Sequence, residues 1–234
     1  MNGIVLELQK EAMDKETDIE SLLRKAYVIA RKLKLKEFEK WIKLEQDGYT
    51  EKDKVPEYRY ASGCYRAYNP ALGQWIPMGL SGGGANQLSK LPLMEAVSSL
   101  ETLYAQEKDT ISFSINSQMT EMFNRTTPFR TIYVFEVSKS QIYKILSAVQ
   151  DKILEWTLLL EENGIKGEGI SFTEEELRKA EQSSTINQYI NNCRINKACE
   201  LLLKTDYPIN TIGAMVGISN PYYFSRLFKD TMGI

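Results

Sequence analysis

Tyr222, Ser225, Arg226 and Lys229 fall at helical spacing near the end of the 234-residue chain. Residues three, four and seven apart share one face of a helix. A phenol, a hydroxyl, a guanidinium and an ammonium on one exposed face suit the base edges of a major groove and its phosphates. Arg226 is the most specific of these groups, because its planar fork matches the two acceptors of a guanine. Tyr223 can join this set or turn inward to complete a core. Asn220 can cap the helix, and Pro221 at its first position loses no needed N–H. Thr211 stands at the start of the preceding helix, where terminal N–H groups can meet a phosphate.

The elements that would hold these groups are legible around them. Ile209, Ile212 and Val216 recur at helical spacing, and Gly217 then breaks the run. Ile218 and Ser219 complete a short turn, and Tyr223, Phe224, Leu227 and Phe228 form a second apolar set. Two short amphipathic helices joined at a glycine make a helix-turn-helix. The glycine fits because such a turn needs a positive φ. A preceding helix, Thr185 to Lys204, places Ile186, Tyr189, Ile190, Cys193, Ala198, Leu201 and Leu202 roughly on one side. It would complete a trihelical unit. The blander reading of the same residues is a helical interaction module with a solvated basic face.

Three other groups invite chemistry. Glu45, Asp47, Glu57 and Arg59 could hold a divalent ion or act as acid and base. A salt-bridged turn that fixes a helix against a strand is the favoured reading, since no histidine assists. Gly82-Gly83-Gly84 with Lys90 lacks the Gly-Lys-Ser/Thr of a phosphate loop, so a plain loop is expected. Tyr58, Tyr60, Tyr65 and Tyr68 could stack bases, but half-buried strand tyrosines account for them more simply.

Composition narrows the function. The chain has no histidine, which excludes a Ser-His-Asp or Cys-His relay and any histidine-ligated zinc. No metal or other cofactor is expected, and the chain reads as a binding protein more than an enzyme. Apolar residues at 43% and charged residues at 26% describe a globular protein. The net charge is −2, unevenly spread. Residues 183–234 carry five lysines and arginines against three carboxylates, a net of +2, and the remainder carries −4. The tail is therefore the expected partner of a polyanion. Three cysteines, Cys64, Cys193 and Cys199, follow no disulfide framework, which suggests reduced thiols and a cytoplasmic protein. The first residues do not form a signal peptide, and no apolar run is long enough to span a membrane.

Along the chain the pattern predicts an α+β protein. An N-terminal helical bundle and a small mixed sheet, residues 1–182, precede the C-terminal trihelical helix-turn-helix, residues 183–234. Ile4, Leu8 and Ala12 mark a first helix. Asp18 can cap a second that buries Ile19, Leu22, Leu23, Ala26, Ile29 and Leu33. A third carries Phe38, Trp41, Ile42 and Leu44 and ends at Gly48. Strands are expected at 57–68, 74–78, 111–115 and 131–137, with helices at 93–106 and around 119–123. Ser138 and Gln141 could form a capping box for a long helix through Glu162, and Thr173 and Glu176 another for a short helix to Gln182.

Two resemblances add to this reading. Tyr189 onward, with Arg194-Ile195, Ala198, Leu202, Ile212, Val216-Gly217, Tyr223-Phe224-Ser225-Arg226, Phe228-Lys229 and Gly233, resembles the second helix-turn-helix of AraC-family transcriptional regulators. That resemblance implies a recognition helix from Asn220 to about Asp230. It puts Tyr222, Tyr223 and Arg226 at positions facing base edges and Lys229 near a phosphate. AraC-type domains have two such units, and the first is absent here. Specific binding to double-stranded DNA would then need a homodimer or another partner, and the helix from Ser140 to Glu162 could supply a dimer surface. The front part, through Leu22-Leu23-Arg24, Trp41-Ile42, Glu45, Gly48-Tyr49 and Pro56-Glu57-Tyr58-Arg59, resembles the AbiTii domain associated with bacterial abortive infection. GIKGEGISFTEEELRKA resembles that family's closing segment. Together they imply a DNA-binding regulator linked to phage defence. The alternatives are an abortive-infection effector whose front domain is the active part, a nuclease or another toxin, and a scaffold whose tail contacts a protein.

Overall fold

Three amphipathic helices open the chain because their apolar residues recur on single faces. They are α1 (Ile4–Ala12), α2 (Ile19–Lys32) and α3 (Lys36–Asp47). Val5 and Leu8, then Leu22, Leu23, Ala26 and Ile29, then Phe38 and Ile42 are buried. Asp18 caps α2 as expected, its Oδ1 accepting the Ser21 N–H at 2.8 Å. The bonds from Ser21 hold its carboxyl below the usual range. Helix α3 ends at Gly48 with φ of 86°. The architecture is that of a computed structural model, described over residues 3–79, 89–127, 130–182, 194–195, 197–218 and 220–232. The expected triglycine loop, the Thr185 to Cys193 part of the first tail helix, Ser219 and Gly233 lie outside the described residues. The chain divides into two units, Lys10–Tyr27 with Trp41–Glu155, and Met1–Gln9 with Val28–Lys40 and Trp156–Ile234.

The first of these units contains the sheet. A short 3-10 turn (Glu57–Arg59) leads into β1 (Tyr60–Asn69), followed by β2 (Gln74–Pro77), β3 (Lys90–Pro92), β4 (Thr110–Ser114) and β5 (Tyr133–Ser138). The strand order is β2-β1-β5-β4, with β3 also on β1. The four described pairings are all antiparallel, so the sheet is not the mixed one expected. The tight turn at Asn69–Gly73 reverses β1 into β2, and the longer excursions also return strands in opposite sense. In the register Phe113, Phe135 and Tyr65 stand side by side. Their rings fill the buried face, Tyr65 lying 4.8 Å from Phe135 and 5.0 Å from Phe123. Tyr60 is exposed and Tyr68 meets Trp75, so the tyrosines form no common platform.

Helix α4 (Val97–Tyr104) is shorter than the span 93–106, because the backbone of residues 93–95 is used elsewhere. Leu93 N–H donates to the Arg59 carbonyl at 2.9 Å, and Met94 accepts from Tyr49 N–H at 2.7 Å. Helix α5 (Ser117–Asn124) is capped by Asn116. The long α6 (Lys139–Glu162) forms as predicted, without the expected capping box. Gln141 Oε1 instead accepts from Ser62 N–H at 3.1 Å, and Ser138 Oγ meets Ser140 Oγ.

In the second unit Phe38 and Trp156 stack with ring centres 4.0 Å apart. The first N–H groups of α1 are satisfied by Gly169 and Lys166 carbonyls. The Thr173/Glu176 capping box closes at the start of α7 (Glu174–Gln182). Glu176 also accepts the N–H groups of Lys166 and Gly167. Burial opposes its charge, but these backbone donors outweigh it and keep the carboxyl below its ordinary range.

Candidate nucleic-acid interface

The tail is held by a small apolar core. Residues 197–204 lie in helix α8, followed by α9 (Ile209–Met215) and α10 (Pro221–Met232). Ile195, Ala198, Ile212, Val216, Ile218 and Phe224 form one buried cluster, flanked by Cys199, Leu201, Leu227 and Phe228. Burying each large member contributes about 1.5–3 kcal/mol. Leu202, expected on the buried side, is 38% exposed. Ala198 is buried as expected, and Ile195 is buried with it.

Two glycines set the geometry of the turn. Gly213 lets α9 and α10 approach, since a Cβ there would lie 3.1 Å from the Phe224 ring and 3.2 Å from the Ile218 carbonyl. Gly217 takes φ of 79°, and Ile218 N–H closes back onto the Gly213 carbonyl at 2.8 Å. This is a Schellman ending, which a residue with a Cβ reaches only with strain. The Arg194 guanidinium lies against this turn, its Nε 3.7 Å from where a Gly217 Cβ would sit. Arg194 is also paired with Glu37 on α3 at 2.7 Å.

Helix α10 starts as its sequence requires. Asn220 Oδ1 accepts from the N–H groups of Tyr222 and Tyr223 at 3.0 and 3.1 Å. Phe224 turns into the core, which sends Tyr222, Ser225, Arg226 and Lys229 to the opposite, exposed side. Tyr222 is 89% exposed and Tyr223 42%, so Tyr223 does not complete the core. The Arg226 guanidinium carbon lies 6.0 Å from the Tyr223 ring centre, at the outer reach of a cation–π contact. Thr211 is exposed on α9, but its N–H already donates to the Pro208 carbonyl at 2.9 Å. Its hydroxyl, not its backbone N–H, is what it can offer a phosphate.

The other charged constellation is enclosed. Glu45 and Arg59 are both 0% exposed and form an ion pair. Glu45 also accepts from the hydroxyls of Tyr49, at 2.5 Å, and Tyr58. Arg59 donates to the Glu95 carbonyl at 2.8 Å, and Trp41 Nε1 donates to Tyr58 at 2.9 Å. Burial, reinforced by the Glu45 charge, pushes both phenols well above their ordinary range, so they remain donors. Both Glu45 oxygens are engaged, and Asp47 and Glu57 are exposed. The arrangement ties α3 to the entry of β1.

A family model described as AbiTii matches residues 3–185, and one described as a helix-turn-helix domain matches residues 174–234. Among curated proteins the chain is 27% identical over 139 residues to the "DNA-binding dual transcriptional regulator Rns" of Escherichia coli, covering 58% of this chain and 50% of that protein. It is 27% identical over 174 residues to the "virulence regulon transcriptional activator VirF" of Shigella flexneri, covering 63% of this chain and 66% of VirF. A 56-residue stretch is 39% identical to the "MmsAB operon regulatory protein" of Pseudomonas aeruginosa, 24% of this chain and 18% of that protein. The matched stretches thus span half to under two thirds of Rns and VirF. No solved structure matches the chain at comparable significance.

Proposed function

The chain belongs to the AbiTii family and carries an AraC-type helix-turn-helix at its C-terminal end, and on that premise we propose that it is a sequence-specific, DNA-binding transcriptional regulator. The observation that carries this reading is the exposed row Tyr222, Ser225, Arg226 and Lys229 on a capped helix that a buried core holds in place. Its similarity to Rns, a DNA-binding transcriptional regulator, and to VirF, a transcriptional activator, supports it. In this proposal residues 183–234 bind duplex DNA and residues 1–182 sense or assemble. Arg226 reads a guanine, Tyr222 and Tyr223 contact base edges, and Lys229, Ser225 and the Thr211 hydroxyl meet phosphates. Asn220 orders the helix end through its cap.

A single reading helix makes few base contacts, so the proposal includes a homodimer with half-sites about one helical turn apart. The AbiTii membership suggests a phage-defence setting, in the cytoplasm. No helix among the described residues is long and apolar enough to cross a membrane. The effector alternative rests on Glu45, Glu57 and Arg59, of which Glu45 and Arg59 are spent on each other and Glu57 is exposed. Fluorescence anisotropy with labelled duplex DNA tests the proposal. The full chain is expected to bind with strong salt dependence, and the Arg226→Ala, Lys229→Ala variant at least about tenfold more weakly. Equal binding by the two proteins would refute it.

A further inference from the structure

The α2–α3 corner carries an unusual density of positive charge. Between Val28 and Lys40 five cations, Arg31, Lys32, Lys34, Lys36 and Lys40, face two carboxylates, a net of +3. This exceeds the +2 of the whole helix-turn-helix tail. Arg31 is paired with Glu39, and Lys32 donates to the Ile170 carbonyl. Lys36 and Lys40 are exposed, one turn apart, and no carboxylate pairs with either among the described residues. Lys34 reaches Glu181 only at 3.5 Å, with both side chains more than half exposed.

Two observations set this corner apart from an ordinary solvated helix face. Lys34 has φ of 57°, the one non-glycine residue in the left-handed region among those described. It occupies the position after α2 where Leu35 N–H returns to the Ala30 carbonyl, and glycine would serve there with less strain. A lysine stands where the backbone favours glycine. The corner also lies beside the helix-turn-helix. Glu37, flanked by Lys36 and one turn from Lys40, holds Arg194, and Arg194 lies against the Gly217 turn that leads into α10.

We propose that Lys34, Lys36 and Lys40 form an accessory surface that grips DNA backbone phosphates beside the duplex segment read by α10. The proposal rests on the DNA-binding reading of the tail and extends it. The AbiTii-family part then contributes to the grip, and part of what a second helix-turn-helix would supply comes from this corner. Lysines suit the task because their point charges neutralise phosphate without reading sequence.

The test uses the full chain and a fixed duplex, with anisotropy followed from low to moderate salt. The variant is Lys34→Gly, Lys36→Ala, Lys40→Ala, in which glycine preserves the left-handed turn. Thermal unfolding confirms that it folds like wild type. Each lost phosphate contact flattens the slope of log affinity against log salt by about 0.9, so a slope shallower by about 2–3 is expected. Affinity at low salt should fall about tenfold or more, and Lys36→Arg, Lys40→Arg should bind like wild type. An unchanged slope in the triple variant, with Arg226→Ala, Lys229→Ala still weakening binding, overturns the accessory surface and leaves the tail reading intact. If neither variant alters binding, both fall.

Discussion

Two arginines show how differently this chain uses the same group. Arg59 is sealed in the interior against Glu45, the Tyr49 ring and a backbone carbonyl, whereas Arg226 stands on an exposed helix face beside Tyr223. Both belong to charged clusters that the sequence alone marks as candidates for chemistry. Burial separates them. A charge without solvent must spend its bonds on its neighbours, so the Arg59 network fixes architecture. A charge left in water keeps its donors for a partner, so the Arg226 face is where recognition can occur.

Breaking the interior cluster should have the largest effect. Arg59→Ala leaves Glu45 buried without its counter-charge and is expected to cost about 3–5 kcal/mol in denaturant unfolding. Replacing both members, Glu45→Leu with Arg59→Met, should recover much of that loss. If Arg59→Ala alone is harmless, the cluster is not the brace described here.

A second change sharpens the comparison within the tail. Gly213→Ala forces a methyl against the Phe224 ring and the Ile218 carbonyl, and should destabilise the helix-turn-helix by about 1–3 kcal/mol. Loss of its helical signal on heating should come earlier than in wild type. Unaltered melting would mean that α9 and α10 do not pack this closely.

The capping carboxylate gives a pH-dependent prediction. Glu176 has its pKa lowered in the folded chain, so its stabilisation is full above the unfolded value and is lost as pH falls through the folded one. Glu176→Ala should therefore cost about 1 kcal/mol at pH 7 and little at pH 3. A cost independent of pH would show that the charge is not responsible. The smallest effect is expected at the Glu37–Arg194 pair. Its partly exposed geometry should give a coupling of about 0.2–1 kcal/mol in a double-mutant cycle, read by unfolding in denaturant. Coupling indistinguishable from zero would detach the α2–α3 corner from the Gly217 turn.

What was legible in the sequence is local. The Asn220 cap, the positive-φ Gly217, the Thr173/Glu176 box and the long α6 each depend on residues a few positions apart. So does the helical row at Tyr222, Ser225, Arg226 and Lys229. The departures are all tertiary. Gln141 leaves its box for Ser62 on β1, and Arg59 turns inward through a 3-10 turn where a strand was expected to begin. Arg194 appears in the sequence only as part of a family signature, because neither its ion pair nor its place under the turn is encoded nearby. The cations of the α2–α3 corner are plain in composition, but only the Glu37–Arg194 contact places them beside the tail.

The most direct measurement is selection of bound duplexes from a random pool by the full chain and by Arg226→Ala. Wild type is expected to enrich a defined motif containing a guanine. The variant should bind more weakly and lose preference at that base, a change of about 1–3 kcal/mol in discrimination. No enriched motif with wild type, or the same motif with both proteins, would contradict the assignment of α10 as the reading element.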